Sequence, residues 1–202
     1  MLINIYLRYL QEQDMQMKYQ KLIDYPTERQ PDDYSCGLSS VQTALAFCGI
    51  DVHSEELRKL LKPDPINGVD PKKIINVLKK YKVNYEYDED MTMDDLKDYI
   101  NDESPVIICL QAWAKDKELD YARTRKEGHY VTVIGYNDRG FICEDPALQS
   151  HRGFIPYDEL EYRWRDFDKK GNKYNHFGIA ILSKKSFSSS SVEVIEGLKR
   201  IK

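Results

Sequence analysis

The chain has 202 residues, 41% of them hydrophobic, with 30 Lys and Arg against 34 Asp and Glu and a formal net charge of −4. This supports one substantial core in a single domain and leaves no positive field suited to gripping a phosphate backbone, which excludes nucleic acid as an expected partner. No run is long enough to cross a bilayer, the start has no basic leader or small-residue cleavage site, and Cys36, Cys48, Cys109 and Cys143 form no Cys-x-x-Cys pair; the expectation is a soluble cytoplasmic protein with free thiols, no zinc site and no membrane insertion.

In chain order, residues 1–20 fit a short helix as well as a strand and are set apart as an N-terminal extension. A brief strand over 21–24 ends before Pro26. Leu38, Val41, Leu45 and Cys48 then recur at helical spacing, which predicts a helix from Cys36 to about Phe47 with Gly49 at its end. Ser54 is the expected cap of a helix through Leu61. Asp70 and Pro71 open a third helix with Ile74, Ile75 and Leu78 inward, 83–87 alternates as a strand, and Thr92 with Asp95 forms a capping box for a helix carrying Leu96, Tyr99 and Ile100. The second half changes period. Short runs over 105–110, 129–136, 140–143 and 177–182 are rich in branched and aromatic residues and broken by Gly, Asn and Asp, which predicts an antiparallel sheet. The expected class is α+β, with the compact domain over 21–182 and a Ser-rich tail over 183–202, expected to be mobile because it cannot bury enough apolar area.

Among the cysteines, Cys48 lies on an apolar helical stripe and Cys109 and Cys143 lie within strands, ordinary places for a buried thiol. Cys36 differs, and is expected to be the exposed one. A helix start lends partial positive charge that stabilises thiolate, a paired imidazole can lower a thiol pKa to roughly 3.5 to 7.5, and Gly37 is expected to leave open space beside the sulfur. Of the four histidines, His53, His151 and His176 occupy polar or capping positions, whereas His129 opens the apolar strand Tyr-Val-Thr-Val-Ile-Gly-Tyr, where a ladder would fix its ring. The hairpin turn at 137–140 returns the chain so that Asp145, stopped by Pro146, is expected near His129, with Glu144 pointing to the other face. Gln30, six positions before Cys36, is placed for its amide to converge with the Cys36 backbone N–H as two oxyanion donors. These residues supply a nucleophile, a base, a group to orient the base and an oxyanion hole. The acidic run over 88–98 lacks the glycine and terminal Glu of a calcium loop, and no phosphate-binding glycine loop occurs, so neither a metal nor another cofactor is expected.

Gln-x-x-x-x-x-Cys-Gly at a helix start, then His-Tyr-Val on a strand, then Asp-Pro after the next strand together resemble the bacteriocin-processing, double-glycine leader peptidases of the papain-like cysteine peptidase superfamily. The resemblance runs from about Lys21 to Leu182 and includes an aromatic segment over 157–164. It implies a papain-like fold, with a helical N-terminal half carrying the Cys helix and an antiparallel C-terminal half carrying His and Asp. It also implies a thiol peptidase with Cys36 as nucleophile, His129 as base, Asp145 as orienter and Gln30 in the oxyanion hole, acting on a peptide or protein after a small residue such as Gly. The family usually has Asp immediately before the Cys; here Ser35 stands there, with Asp32 and Asp33 upstream, so the loop contacts are expected to differ. The charged stretch over 113–128, including Arg123, Arg125 and Lys126, leads into His129 and is a candidate substrate-contacting lid. Transporter-fused members carry membrane and nucleotide-binding domains that are not among these residues, and the expectation is a stand-alone peptidase. Ubiquitin-like-protein proteases share Gln-x-x-x-x-x-Cys-Gly, but their His precedes the Cys and none precedes Cys36 here. The same thioester chemistry leaves an acyltransferase or peptide ligase open, and a catalytically silent peptide-binding module is the alternative from another class. Nothing in the chain signals an oligomeric state.

Overall fold

The computed structural model describes residues 20–113, 121, 125, 127–149, 152–168 and 170–182. Nearly all of the expected N-terminal extension, the whole tail, His151, and most of the stretch between Trp113 and Gly128 lie outside the described residues. Helix α1, Cys36–Phe47, is buried almost all round, with Gly37, Ser39 and Ser40 as enclosed as Leu38, Val41 and Leu45. Such a helix belongs in the middle of a structure, and it packs against α2 (Ser54–Leu61) and α3 (Pro71–Lys80) on one side and the central strand of the sheet on the other. Gly49 takes φ 76° where the chain turns out of α1, a conformation that favours glycine.

The other helices are set by their caps. The α2 cap is His53 rather than the expected Ser54: the His53 Nδ1 accepts from the Glu55 N–H at 3.3 Å, and Ser54 is already helical. Asp70 accepts from the Lys72 N–H at 2.9 Å with Pro71 in the first turn of α3. Helix α4, Met93–Asn101, starts with the expected reciprocal box, Thr92 Oγ1 accepting from Asp95 N–H at 3.1 Å and Asp95 Oδ2 from Thr92 N–H at 2.8 Å.

The strands are β1 (Lys21–Leu22), β2 (Tyr85–Asp88), β3 (Val106–Gln111), β4 (Gly128–Tyr136), β5 (Gly140–Glu144), β6 (Arg152–Pro156), β7 (Arg165–Phe167), β8 (Lys173–Asn175) and β9 (Gly178–Ile181). Among the described residues they build a seven-stranded sheet in the order β2-β9-β3-β4-β5-β6, with β1 paired to the far end of β4, and a separate β7-β8 ribbon. The pairs are antiparallel, as the short branched and aromatic runs broken by Gly, Asn and Asp predict. Strand β4 is buried on both faces from His129 to Gly135. Between β6 and the ribbon lies a short helix, α5 (Tyr157–Arg163), anchored by Trp164, whose buried indole Nε1 donates to the Phe177 carbonyl at 2.9 Å. Among the described residues no helix is long and apolar enough to cross a membrane, and no group of three or more His, Cys, Asp or Glu is arranged to hold a metal ion.

Candidate active site

Cys36 is the first residue of α1, and no side-chain cap closes that helix start. The residue before it, Ser35, is turned away instead, donating its hydroxyl to Asp32. Arg58 on α2 bridges the same pair, with Nη2 2.9 Å from Asp32 Oδ2 and 3.3 Å from Ser35 Oγ. Burial pushes the Asp32 carboxyl up, but Ser35, Arg58 and the Tyr34 N–H together hold it below its ordinary value. The substituted position therefore contributes to a hydrogen-bonded loop that sets the approach to Cys36. Two expectations about this thiol need correction. Gly37 does not leave open space: a Cβ there would lie 2.9 Å from Val69 Cβ and 3.0 Å from Tyr130 Cδ2, so the glycine serves close packing of α1 on β4. Cys36 itself is only 5% exposed, less than the partly buried Cys48, and it opens to solvent only through a cleft.

His129 lies near the start of β4, opposite Leu110, and its Nε2 is 2.8 Å from Asp145 Oδ1. A parity change in the ladder makes this contact possible. From the turn, Tyr136 pairs with Phe141 and Gly135 with Ile142, but Val133 then pairs with Cys143 and Thr132 with Glu144. The extra residue, Ile134, is a β-bulge. In a regular ladder Asp145 would fall level with Thr132 and on its face; the bulge brings it level with Val131, on the face that also carries His129. Glu144 accordingly points the other way, where burial pushes it up to about 7 despite the Arg152 guanidinium 3.0 Å away. Burial pushes the His129 imidazole down, yet Asp145, hydrogen-bonded to the ring, and Cys36 outweigh it and raise it from 6.5 to about 9. Asp145 feels burial most, but His129 and the Ala147 N–H hold it below the usual carboxylate range.

Gln30 is brought to the same end of the molecule through its backbone, whose N–H donates to the Pro146 carbonyl at 2.9 Å. Its side-chain Nε2 donates to the Asp32 carbonyl at 2.8 Å, and its Oε1 is buried without a partner. One amide hydrogen is thus committed to the loop and one is left. His129 and Asp145 are joined by a direct contact, Cys36 lies close enough to act on the ring's charge, and Gln30 is held by the loop beside them.

The sequence matches the model of the Peptidase C39-like family over residues 22–178. The chain belongs to the Peptidase C39-like family. Similar folds are found in the peptidase domain of Streptococcus ComA, a bifunctional ABC transporter involved in a quorum sensing pathway (18% identity, TM-score 0.56, 80% of this chain and 97% of that one). They are also found in a Bacillus anthracis chain described as a C39-like peptidase (18%, 0.61, 82% and 99%). A third is a double glycine motif protease from an AMS/PCAT transporter, solved in complex with the leader peptide (15%, 0.52, 79% and 92%). At these identities the likeness establishes the fold, which is the papain-like cysteine peptidase arrangement. A comparison with curated proteins gives no match.

Three further residues shape the C39-like site, none of them singled out by motif. Trp113 follows β3 with φ 55° and sets its ring 5.2 Å from that of His129, at 59° to it, forming one wall beside the imidazole. The buried Gln111 side chain accepts from the Glu127 N–H at 3.3 Å and donates to Asp166 Oδ1 at 3.1 Å, tying the chain just before His129 to the β7 ribbon. Asp166 also abuts Gly128, where a Cβ would lie 2.6 Å from its Oδ1. For Trp113 the strand register offers a signal, since β3 runs beside β4 to Gln111 opposite Gly128. For Asp166 there is none, because the ribbon that carries it packs through side chains with no local pattern.

Proposed function

We propose that the chain is a cysteine peptidase that cleaves peptide bonds through Cys36, His129, Asp145 and Gln30, after a small residue such as Gly. The observation that carries this reading is the 2.8 Å contact of His129 Nε2 with Asp145 Oδ1, with Cys36 at a helix start near enough to help hold the ring charged. Asp145 fixes ring orientation and stabilises the imidazolium, and the imidazolium stabilises the thiolate. The thiolate sulfur attacks the substrate carbonyl carbon, and the carbonyl oxygen becomes an oxyanion that the Cys36 N–H and the free Gln30 amide hydrogen are suited to receive. As the tetrahedral species collapses, the C–N bond breaks and His129 gives its proton to the leaving amine. His129 then takes a proton from water, the resulting hydroxide attacks the thioester, and the carboxylic acid product leaves as the Cys36 thiol re-forms.

The family supports cysteine peptidase chemistry, and the fold supports a peptide-sized substrate. The double glycine motif protease solved with its leader peptide supports a peptide that ends its acyl part in a small residue. The test is mass spectrometry of acetylated peptides containing a Gly-Gly step, incubated with the chain, with and without an added amine. Hydrolysis products that vanish in Cys36→Ala are expected; amine adducts in place of the free acid would make it an acyltransferase, and no turnover of any peptide would reject the peptidase reading.

A further inference from the structure

We propose that Asp166 is a specificity-determining residue and that the substrate carries a lysine or arginine close to the scissile bond, the cation lying against this carboxylate. The inference rests on the peptidase reading for the identity of the bond and on independent geometry for the charge. Cys36 opens into a cleft of about 250 Å³, and Asp166 lines the same cleft. Among the described residues the lining carries four carboxylates, Asp33, Glu127, Asp166 and Asp168, and one cation, Arg125. Arg125 lies over Phe167 within the same cleft, its guanidinium 5.2 Å from the ring centre.

The carboxylates are not equivalent. Asp168 is spent on its own turn, accepting from the Lys170 and Asn172 N–H groups and the Asn172 amide. Asp166 is held in place by a neutral donor, Gln111, and among the described residues no lysine or arginine forms an ion pair with it. A carboxylate fixed by an amide, facing a cavity and without a lysine or arginine partner among the described residues, is arranged to receive a cation brought by a ligand. Burial pushes it up to about 6, opposed by the Phe167 N–H, Gln111 and His129, so it is ionised at neutral pH and strengthens further when a cation arrives. Two apolar side chains also help frame this cleft: Ile66, 90% exposed on the turn closed by Asp64 and Gly68, and Trp113, 45% exposed beside His129. They suit the methylene stem of a long basic side chain better than a compact polar one.

The experiment measures binding apart from turnover. Fluorescein-labelled, C-amidated decapeptides of Gly, Ala and Leu, with one lysine walked through every position and a norleucine twin for each, are titrated against Cys36→Ala by anisotropy. At one position or two adjacent ones, the lysine peptide is expected to bind about 10- to 100-fold more tightly than its twin, the range for a charge-assisted hydrogen bond. Asp166→Asn in the same background keeps an acceptor for Gln111 and should remove the difference between each lysine peptide and its norleucine twin. Equal binding of the twins at every position, no binding of any lysine peptide, or a lysine preference that survives Asp166→Asn would overturn the proposal. The first comparison needs no change at Asp166, so misfolding of the variant cannot rescue it. Cleavage by the unaltered chain is scored separately: lysine preference without cleavage retains the cleft assignment and rejects the peptidase reading, and cleavage without lysine preference does the reverse.

Discussion

Two acids flank the His129 end of β4, and the chain treats them in opposite ways. Asp145, on the β5 side, is hydrogen-bonded to the imidazole and held low; Asp166, on the β3 side, is hydrogen-bonded to an amide and pushed up to about 6. Behind the Asp145 side lies an apolar cavity of about 210 Å³ lined by Leu110, Val131, Cys143 and Ile155, whereas the Asp166 side opens through a polar cleft to Cys36. Burial raises both carboxyls, and the hydrogen-bond partner decides the outcome: a direct bond to the ring reverses the effect at Asp145, whereas at Asp166 the Phe167 N–H, the Gln111 amide and the more distant ring do not. In the proposed reading one side supports chemistry and the other meets a ligand.

The largest effects should fall on the residues that share the imidazole. Cys36→Ala and His129→Ala are each expected to abolish peptide cleavage without unfolding the chain, since nucleophile and base act as a unit; circular dichroism with a product assay checks both, and full activity in either would end the assignment. Asp145→Asn keeps the shape but loses the charge, and a loss of about 10⁴-fold in kcat is expected by analogy with serine triads. A loss of tenfold or less would mean that an orienting amide suffices. Gln30→Ala should lower kcat by about 10²- to 10³-fold with KM little changed, because a donor to the oxyanion acts in the transition state alone. A change confined to KM would reassign Gln30, through its bond to the Asp32 carbonyl, to shaping the loop.

A smaller effect separates the two acids by pH. The folded His129 titrates at about 9 against an ordinary 6.5, so its stabilising contribution is complete below 6.5 and is lost as pH rises through about 9. Asp145 is held low, so its contribution is present above its ordinary 3.8 and is lost as pH falls. Denaturant midpoints of the unaltered chain should therefore fall between pH 6.5 and 9 by more than those of Asp145→Asn. NMR should place the His129 titration lower in that variant, where burial acts with only Cys36 to oppose it. An unchanged titration would mean that Asp145 is not what holds the ring charged.

Legibility in the sequence followed the range of the interaction. Helix α1 and the α4 capping box depend on residues within a few positions of one another, and their bounds could be read directly. The hairpin alone predicts Asp145 near His129, but the bulge at Ile134, which no local pattern marks, is what turns the acid toward the imidazole's face. Gly37 was misread because its neighbours, Val69 and Tyr130, come from distant parts of the chain. His53 took the capping role from Ser54 because an imidazole nitrogen can accept as a hydroxyl does. Strand β6, helix α5 and the β7-β8 ribbon carried too little periodicity to be assigned, and Asp166 was invisible with them.

The central claim is that electrostatics, rather than access, makes Cys36 the nucleophile, and competitive alkylation tests it most directly. Cys48 is more exposed than Cys36, while Cys109 and Cys143 are sealed in the core and pushed up by burial. Brief iodoacetamide treatment of the folded chain at pH 6, where an ordinary thiol of pKa about 8.5 is almost wholly protonated, followed by peptide mapping, should label Cys36 ahead of Cys48 and leave the other two unmodified. In His129→Ala that preference should disappear. Labelling that follows exposure, with Cys48 first and Cys36 unmarked, would contradict the account.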